Sequence, residues 1–303
     1  MVINVGLIGF GRYGKKYYAN LLEDKYFRIV KILRKSKKKS NDLFTNNKKI
    51  FFKIKNIDLY IIASPTNSHY DYLKTALIKK KHIIIEKPLV DKFSQFTKIK
   101  GLIKKSKKII LINHTDLYMN AYLSLKKKIK KIGKIKSLKL IFGKIDPYPV
   151  KNITNKYKLP HFEWLPHPLA IMLDLIKDQN FKINLNEKRK IYKKKLYQDL
   201  EIFFSKKKIN IEINFSNYFK KRKRNLEIYG TNGSLIYRGY DKKKCFFKKN
   251  NKISYLKTVK INPLKNLLNN FKKKCKNQKF SDDRELIIST TKYLFKISNR
   301  LKI

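Results

Sequence analysis

The sequence predicts an α/β chain with two parts: a doubly wound parallel sheet over 1–120, then an α+β part over 121–303 with a large, mostly antiparallel sheet. Three observations carry this. A short apolar run, Ile3–Ile8, ends in Gly9-x-Gly11-x-x-Gly14 and opens a helix-permissive stretch. Up to about residue 120, apolar runs alternate with amphipathic stretches, and each run ends in a polar cluster. From about 190 to 260 the pattern changes to period-two alternation, as in Ile209-Asn210-Ile211-Glu212-Ile213-Asn214-Phe215.

The first element is strand, glycine turn, helix. This context is what a dinucleotide fingerprint needs, and it defines a Rossmann unit. Gly9 permits the tight turn, Gly11 lets a pyrophosphate approach the backbone, and Gly14 lets the helix pack close to the strand. The turn residues Phe10, Arg12 and Tyr13 belong to the same candidate cofactor site. A glycine-rich βα turn with no ligand is the plainer alternative.

The second strand covers Phe27–Leu33 and ends in Arg34-Lys35-Ser36-Lys37. Arg34 lies 20 residues beyond Gly14, where such folds read the adenosine ribose. An acid there would bond the 2′-OH of NAD, and a base accommodates the 2′-phosphate of NADP. With no acid before Asp42, Arg34 and Lys35 favour NADP(H) over NAD(H), against the alternative of general lysine background.

Residues 41–56 read as a short helix and a connecting strand. The buried apolar strand 57–63 then stops at Ser64-Pro65-Thr66-Asn67-Ser68-His69. Ligands of open α/β sheets sit outside the carboxyl ends of strands, so this loop is expected on the nicotinamide side; Asn67 or Ser68 also suits a helix cap. A helix over 70–80 follows, with a stripe at Tyr70, Leu73, Ala76 and Leu77. The next strand, His82–Ile85, ends in Glu86-Lys87-Pro88-Leu89, which places Glu86 and Lys87 over the same crevice. After a helix (about 91–106), the strand 108–112 ends in Asn113-His114, with Asp116, Tyr118 and Asn120 beyond.

The second part opens with a basic helix (121–132), Gly133 and a strand (134–144). A loop over 145–160 holds Pro147, Pro149 and Pro160. His161-Phe162-Glu163-Trp164-Leu165-Pro166-His167-Pro168 then opens an apolar helix. The lysine-dense pieces 184–195 and 241–252 read as solvated loops or hairpin tips, and a helical part (about 263–300) closes the chain.

The formal net charge of +54 invites a nucleic-acid reading. Yet there are only nine arginines against 66 lysines. Specific phosphate and base readout favours the planar guanidinium. Compositional bias, seen also in the wealth of Ile, Asn, Tyr and Phe, is the better explanation, so no specific nucleic-acid partner is expected. Cys245 and Cys275 make neither a disulfide framework nor a metal spacing, and no metal is expected. The first apolar run is consumed by the glycine turn and no stretch approaches a membrane span, which points to a soluble cytoplasmic chain with no membrane partner.

Taken in order, Gly9-Phe10-Gly11-Arg12-Tyr13-Gly14, Ala63-Ser64-Pro65-Thr66-Asn67-Ser68-His69, Glu86-Lys87-Pro88-Leu89, Asn113-His114 with Tyr118, Glu163-Trp164-Leu165-Pro166-His167 and Leu226-Glu227-Ile228-Tyr229-Gly230-Thr231-Asn232-Gly233-Ser234-Leu235 resemble the glucose–fructose oxidoreductase / inositol dehydrogenase (Gfo/Idh/MocA) family over nearly the whole chain. The resemblance implies a nicotinamide cofactor and a sugar, sugar nucleotide, cyclitol or related substrate. It also implies a second domain whose sheet mediates homodimer or homotetramer formation. The family's lysine and histidine flanking the reacting carbon match Lys87 and His167. Where the family commonly has aspartate four residues before the histidine, this chain has Glu163.

Oxidising a secondary alcohol needs a hydride acceptor, which the cofactor supplies, and a base for the proton, for which histidine is suited. His167 is accordingly the expected general acid/base, Glu163 its orienting partner and Lys87 the donor to the substrate oxygen. Tyr118 is expected to touch substrate. Two alternatives remain open: the same fold using tightly bound cofactor for glycoside cleavage or elimination, and a non-catalytic cofactor-binding protein.

Overall fold

The computed structural model describes residues 2–35, 42–177, 180–206, 208–239, 245–258, 261–277 and 282–301. Ser36 and Lys37 of the expected ribose-reading segment, and 241–244 of the second lysine-dense piece, lie outside the described residues. The chain divides into two compact units: 1–114 with 264–291, and 115–263 with 292–303.

The first unit contains β1 (Ile3–Ile8), α1 (Arg12–Leu22), β2 (Phe27–Leu33), β3 (Phe44–Thr45), α2 (Lys48–Lys53), β4 (Leu59–Ile62), α3 (His69–Ile78), β5 (His82–Ile85), α4 (Phe93–Lys105) and β6 (Ile110–Ile112). The strands form one sheet in the order β3-β2-β1-β4-β5-β6, every pair parallel. This is the Rossmann order, with its crevice where the order reverses between β1 and β4. The apolar runs follow from burial on both faces. Ile32, Leu7, Ile61, Ile84 and Leu111 stand side by side across five strands, all buried. Each contributes roughly 1.5–3 kcal/mol by leaving water.

The second unit contains α5 (Asn120–Lys127), β7 (Ile135–Gly143), β8 (Tyr148–Pro149), α6 (Pro160–Trp164), α7 (Pro166–Leu175), β9 (Lys182–Tyr192), β10 (Lys195–Lys206), β11 (Ile209–Ser216), β12 (Lys223–Gly230), β13 (Gly233–Arg238), β14 (Cys245–Lys249) and β15 (Lys252–Tyr255). The sheet runs β15-β14-β13-β12-β7-β11-β10-β8, with β9 paired to β10. It is antiparallel except for the β7–β11 pair, which is parallel. Period-two alternation sends Leu226, Leu140, Ile213 and Ile202 to one buried face in register. The lysine-dense piece 184–195 is not a loop. It is most of β9 and the tight turn at Lys193 and Lys194, both with left-handed backbone. Its lysines occupy exposed positions, while Ile183 is buried.

Two closing helices follow, α8 (Pro263–Asn277) and α9 (Asp282–Ser298). α8 packs on the first unit: Phe271 stacks against Phe27 and His82, and Lys272 pairs with Asp24 at 2.5 Å. The end of α9 belongs to the second unit, where Ser298 Oγ meets buried His161 Nε2 at 2.8 Å. The side chain of Gln198 closes the other side of that imidazole. Burial holds His161 down to about 3, against an ordinary value of 6.5. The unfolded chain therefore takes up this proton first as pH falls, and stability is lost between about 6.5 and 3. We expect urea unfolding followed by circular dichroism to show a midpoint that drops with acid over this window. In His161→Leu the midpoint should start lower at pH 7 and drop less steeply.

Candidate active site

The end of β1 is set by backbone crowding. Gly9 has φ +96°, and a Cβ there would lie 2.6 Å from the Ala63 carbonyl oxygen at the end of β4. A Cβ on Gly14 would lie 2.2 Å from the Gly9 carbonyl oxygen, so α1 docks on the turn with no side chain between. Gly11 is different, because nothing stands within 4 Å of the position its Cβ would take. Gly11 is the N-cap of α1; no side chain caps it, and the first turn holds no acid. A helix leaves its first N–H groups unpaired, and a start with no side-chain cap and no acid suits a pyrophosphate.

Phe10 stands edge-on to Tyr18 and to Phe44, at 5.5 and 5.0 Å between centroids. The Arg34 guanidinium lies 4.3 Å from the centroid of Phe44, and the Arg34 N–H bonds the Thr45 carbonyl at 2.9 Å. The structure therefore joins Arg34 to the glycine turn through two aromatic rings. Lys35 is exposed beside it. Arg12 lies over the ring of Tyr13.

At the carboxyl end of β4, Pro65 and Asn67 are exposed and Ser64 and Thr66 half-buried. Ser68 Oγ lies 2.8 Å from Ser64 Oγ. His69 is buried, with Nδ1 2.9 Å from the Pro88 carbonyl and Nε2 2.9 Å from the Ser64 carbonyl. Burial lowers its pKa, against the two carbonyls, which favour the protonated ring. Glu86 and Lys87 do not behave alike. Glu86 is buried, and its Oε1 accepts from Tyr17 Oη at 3.0 Å and Asn113 Nδ2 at 2.7 Å. Burial raises its pKa despite those bonds and the nearby Lys87. Lys87 is half-buried, next to a cis bond to Pro88.

In the second unit, His167 sits in the first turn of the buried helix α7. Its Nδ1 lies 2.7 Å from Asp116 Oδ2. Asp116, in the short 3₁₀ turn after β6, is itself buried and takes Arg224 Nη1 at 2.8 Å on each oxygen. Burial alone would raise the Asp116 pKa, but Arg224 and His167 outweigh it and hold the carboxyl well below its usual range. Trp164 borders the group, 6.5 Å from the His167 ring and 5.9 Å from the Arg224 guanidinium. Tyr118 is half-buried in the same turn as Asp116.

The sequence pointed to Glu163 as the partner of His167, and the structure adds a second carboxylate, Asp116. The carboxylate at Nδ1 is Asp116, whereas Glu163 is exposed on α6, where its charge helps raise the pKa of Tyr148 behind the larger effect of burial. The two helical segments meet at Leu165, between Glu163 and His167, and Pro166, which lacks an N–H group, opens the second. Asp116, Arg224 and Phe44 were the residues missed. Asp116 stood visible in the polar cluster after β6, and Arg224 was one of only nine arginines. No local pattern linked them. Among the described residues no group of three or more His, Cys, Asp or Glu could hold a metal, and no helix is long and apolar enough to cross a membrane.

Residues 3–114 match the model of a family described as an oxidoreductase family with an NAD-binding Rossmann fold. Among curated proteins, the chain is 28% identical over 130 residues to the uncharacterized oxidoreductase YdgJ of Escherichia coli, covering 41% of this chain and 38% of that protein. It is 25% identical over 134 residues to scyllo-inositol 2-dehydrogenase (NADP(+)) IolW of Bacillus subtilis, covering 42% and 37%. These matches thus span less than half of either relative. The whole fold is similar to the solved structure of UDP-N-acetylglucosamine 3-dehydrogenase GnnA from Acidithiobacillus ferrooxidans, with TM-score 0.82, 12% identity and coverage of 99% and 98%.

The glycine geometry separates fold from site. Gly14→Ala should destabilise the protein by on the order of 3 kcal/mol, since the new methyl meets backbone that cannot move aside. Gly11→Ala should change stability by less than about 1 kcal/mol, the scale of a cap preference. Thermal unfolding of the two variants checks this.

Proposed function

We propose, from the match of residues 3–114 to a family described as an oxidoreductase family with an NAD-binding Rossmann fold, that this chain transfers a hydride between NADP(H) and a hydroxyl- or keto-bearing carbon of a sugar, sugar nucleotide or cyclitol. The observation that carries this reading is the open space at Gly11, in front of an uncapped helix and beside two positions that only glycine can fill. The residues fit a dinucleotide. Gly9 to Gly14 take the pyrophosphate, Arg34 and Lys35 the 2′-phosphate, and the exposed part of Ser64-Pro65-Thr66-Asn67 the nicotinamide side.

The preference for NADP(H) rests on Arg34, whose guanidinium lies over Phe44 at the end of β2. The name of the Bacillus subtilis relative, an NADP(+)-linked scyllo-inositol dehydrogenase, supports both the cofactor and the polyol class.

When bound, the nicotinamide accepts or donates the hydride. Lys87 donates a hydrogen bond to the substrate oxygen and stabilises the charge that develops on it. His167 takes the hydroxyl proton on oxidation and returns it on reduction. Tyr118 contacts the substrate. Pairing of two or four copies through the open face of the large sheet completes this reading.

Titration at 0.15 M salt tests it. We expect NADPH to saturate one site per chain, Arg34→Asp to weaken NADPH at least tenfold, and NADH binding to hold. The Gly11→Ala variant, though folded, should bind both poorly. His167→Asn should lower kcat about 10²–10⁴-fold, the usual worth of general acid–base catalysis. Absence of binding by either cofactor to the folded wild type would overturn the proposal.

A further inference from the structure

We propose that Asp116, clamped by Arg224, is the positioning residue that sets the tautomer of His167, fixing the proton on Nδ1 and leaving Nε2 to exchange the substrate proton. This rests on the oxidoreductase reading for its purpose; the tautomer is argued from the close approach of Nδ1 to an ionised carboxylate.

The chemistry is narrow. A carboxylate only accepts hydrogen bonds. Asp116 presents both oxygens to Arg224 Nη1 at 2.8 Å, and Oδ2 also meets His167 Nδ1 at 2.7 Å. At that distance Nδ1 misses the direction of a regular hydrogen bond, but a bare nitrogen lone pair beside an ionised carboxylate would be repelled, so the approach favours the hydrogen on Nδ1. In the neutral ring Nε2 is then the acceptor, the form a general base needs. Arg224 does the second part. Its cation opposes protonation of the carboxylate, so a proton gained at Nε2 stays on the imidazole and is not passed to Asp116. Asp116 thus stabilises the imidazolium without titrating.

The surroundings point the same way. His167 lies in the first turn of α7, where the helix dipole disfavours a cation. A carboxylate at 2.7 Å offsets that locally. Pro166 and Pro168 restrict the backbone on either side of His167, and all three groups of the trio are buried. The ring is therefore held by covalent restriction from its own helix and by charge from a different element. Glu163 is exposed on α6. In this chain the orienting carboxylate comes from the turn after β6, not from four residues before the histidine.

The test is ¹⁵N NMR of histidine-labelled full chain, tractable with five histidines, with His167 assigned by loss of its signals in His167→Asn. We expect the Nδ1–H tautomer in the wild type and its loss in Asp116→Asn, whose amide can donate to Nδ1. With NADP⁺ and scyllo-inositol as probe, Asp116→Asn should lower kcat about 10²–10⁴-fold with NADPH affinity kept within twofold. Asp116→Glu should recover part of this, and Glu163→Gln should cost less than about threefold, well under the general-base range. An Nε2–H tautomer in the wild type, an unchanged tautomer in Asp116→Asn, or a Glu163→Gln loss as deep as that of Asp116→Asn would overturn the proposal. Wild-type protein that shows the Nδ1–H tautomer but binds no NADPH would overturn the function and leave the positioning role intact.

Discussion

The approach of Gly14 to the Gly9 carbonyl fixes the ligand side of the first unit. No side chain fits between them, so α1 lies as close to the β1 turn as backbone permits. Its position then determines the rest. Gly11 faces open space because the helix begins there. Phe10 is turned outward to Phe44, which carries Arg34. Farther along α1, Tyr17 reaches Glu86, and Glu86 reaches Asn113. One steric constraint thus aligns the carboxyl ends of β1, β5 and β6.

The second unit is organised by charge. Asp116, Arg224 and His167 are buried together, and a buried ion pair is weak evidence of stabilisation, since desolvation offsets most of the attraction. Apolar residues of the same volume would hold that place at least as well. The excess of lysine acts on a longer scale. A net charge of +54 draws anionic ligands toward the chain without specifying any of them.

What was legible in the sequence was local. Gly9, Gly11 and Gly14 answer to steric demands within a few residues, so their spacing announces them. The strands of the first unit, buried on both faces, show as unbroken apolar runs. The alternation at 209–215 identifies β11. The lysines of β9 hid a strand because composition outweighed a period-two pattern that was present. Contacts between distant residues left no trace. Asp116 and His167 are 51 residues apart, Arg224 is farther still, and nothing in their neighbourhoods distinguishes them from other acids and bases. Glu163 stands four residues before His167, a spacing that suggests one helix face, and the structure puts the two on separate segments that meet at Leu165.

The most direct measurement is isotope transfer. The purified protein would be incubated with NADPH dideuterated at C4 and the keto form of scyllo-inositol, and the product read by mass spectrometry. We expect one deuterium in the reduced polyol for each cofactor oxidised. A folded protein that binds NADPH, yet oxidises none and delivers no deuterium to this or any keto sugar offered, would contradict hydride transfer as the activity of this chain.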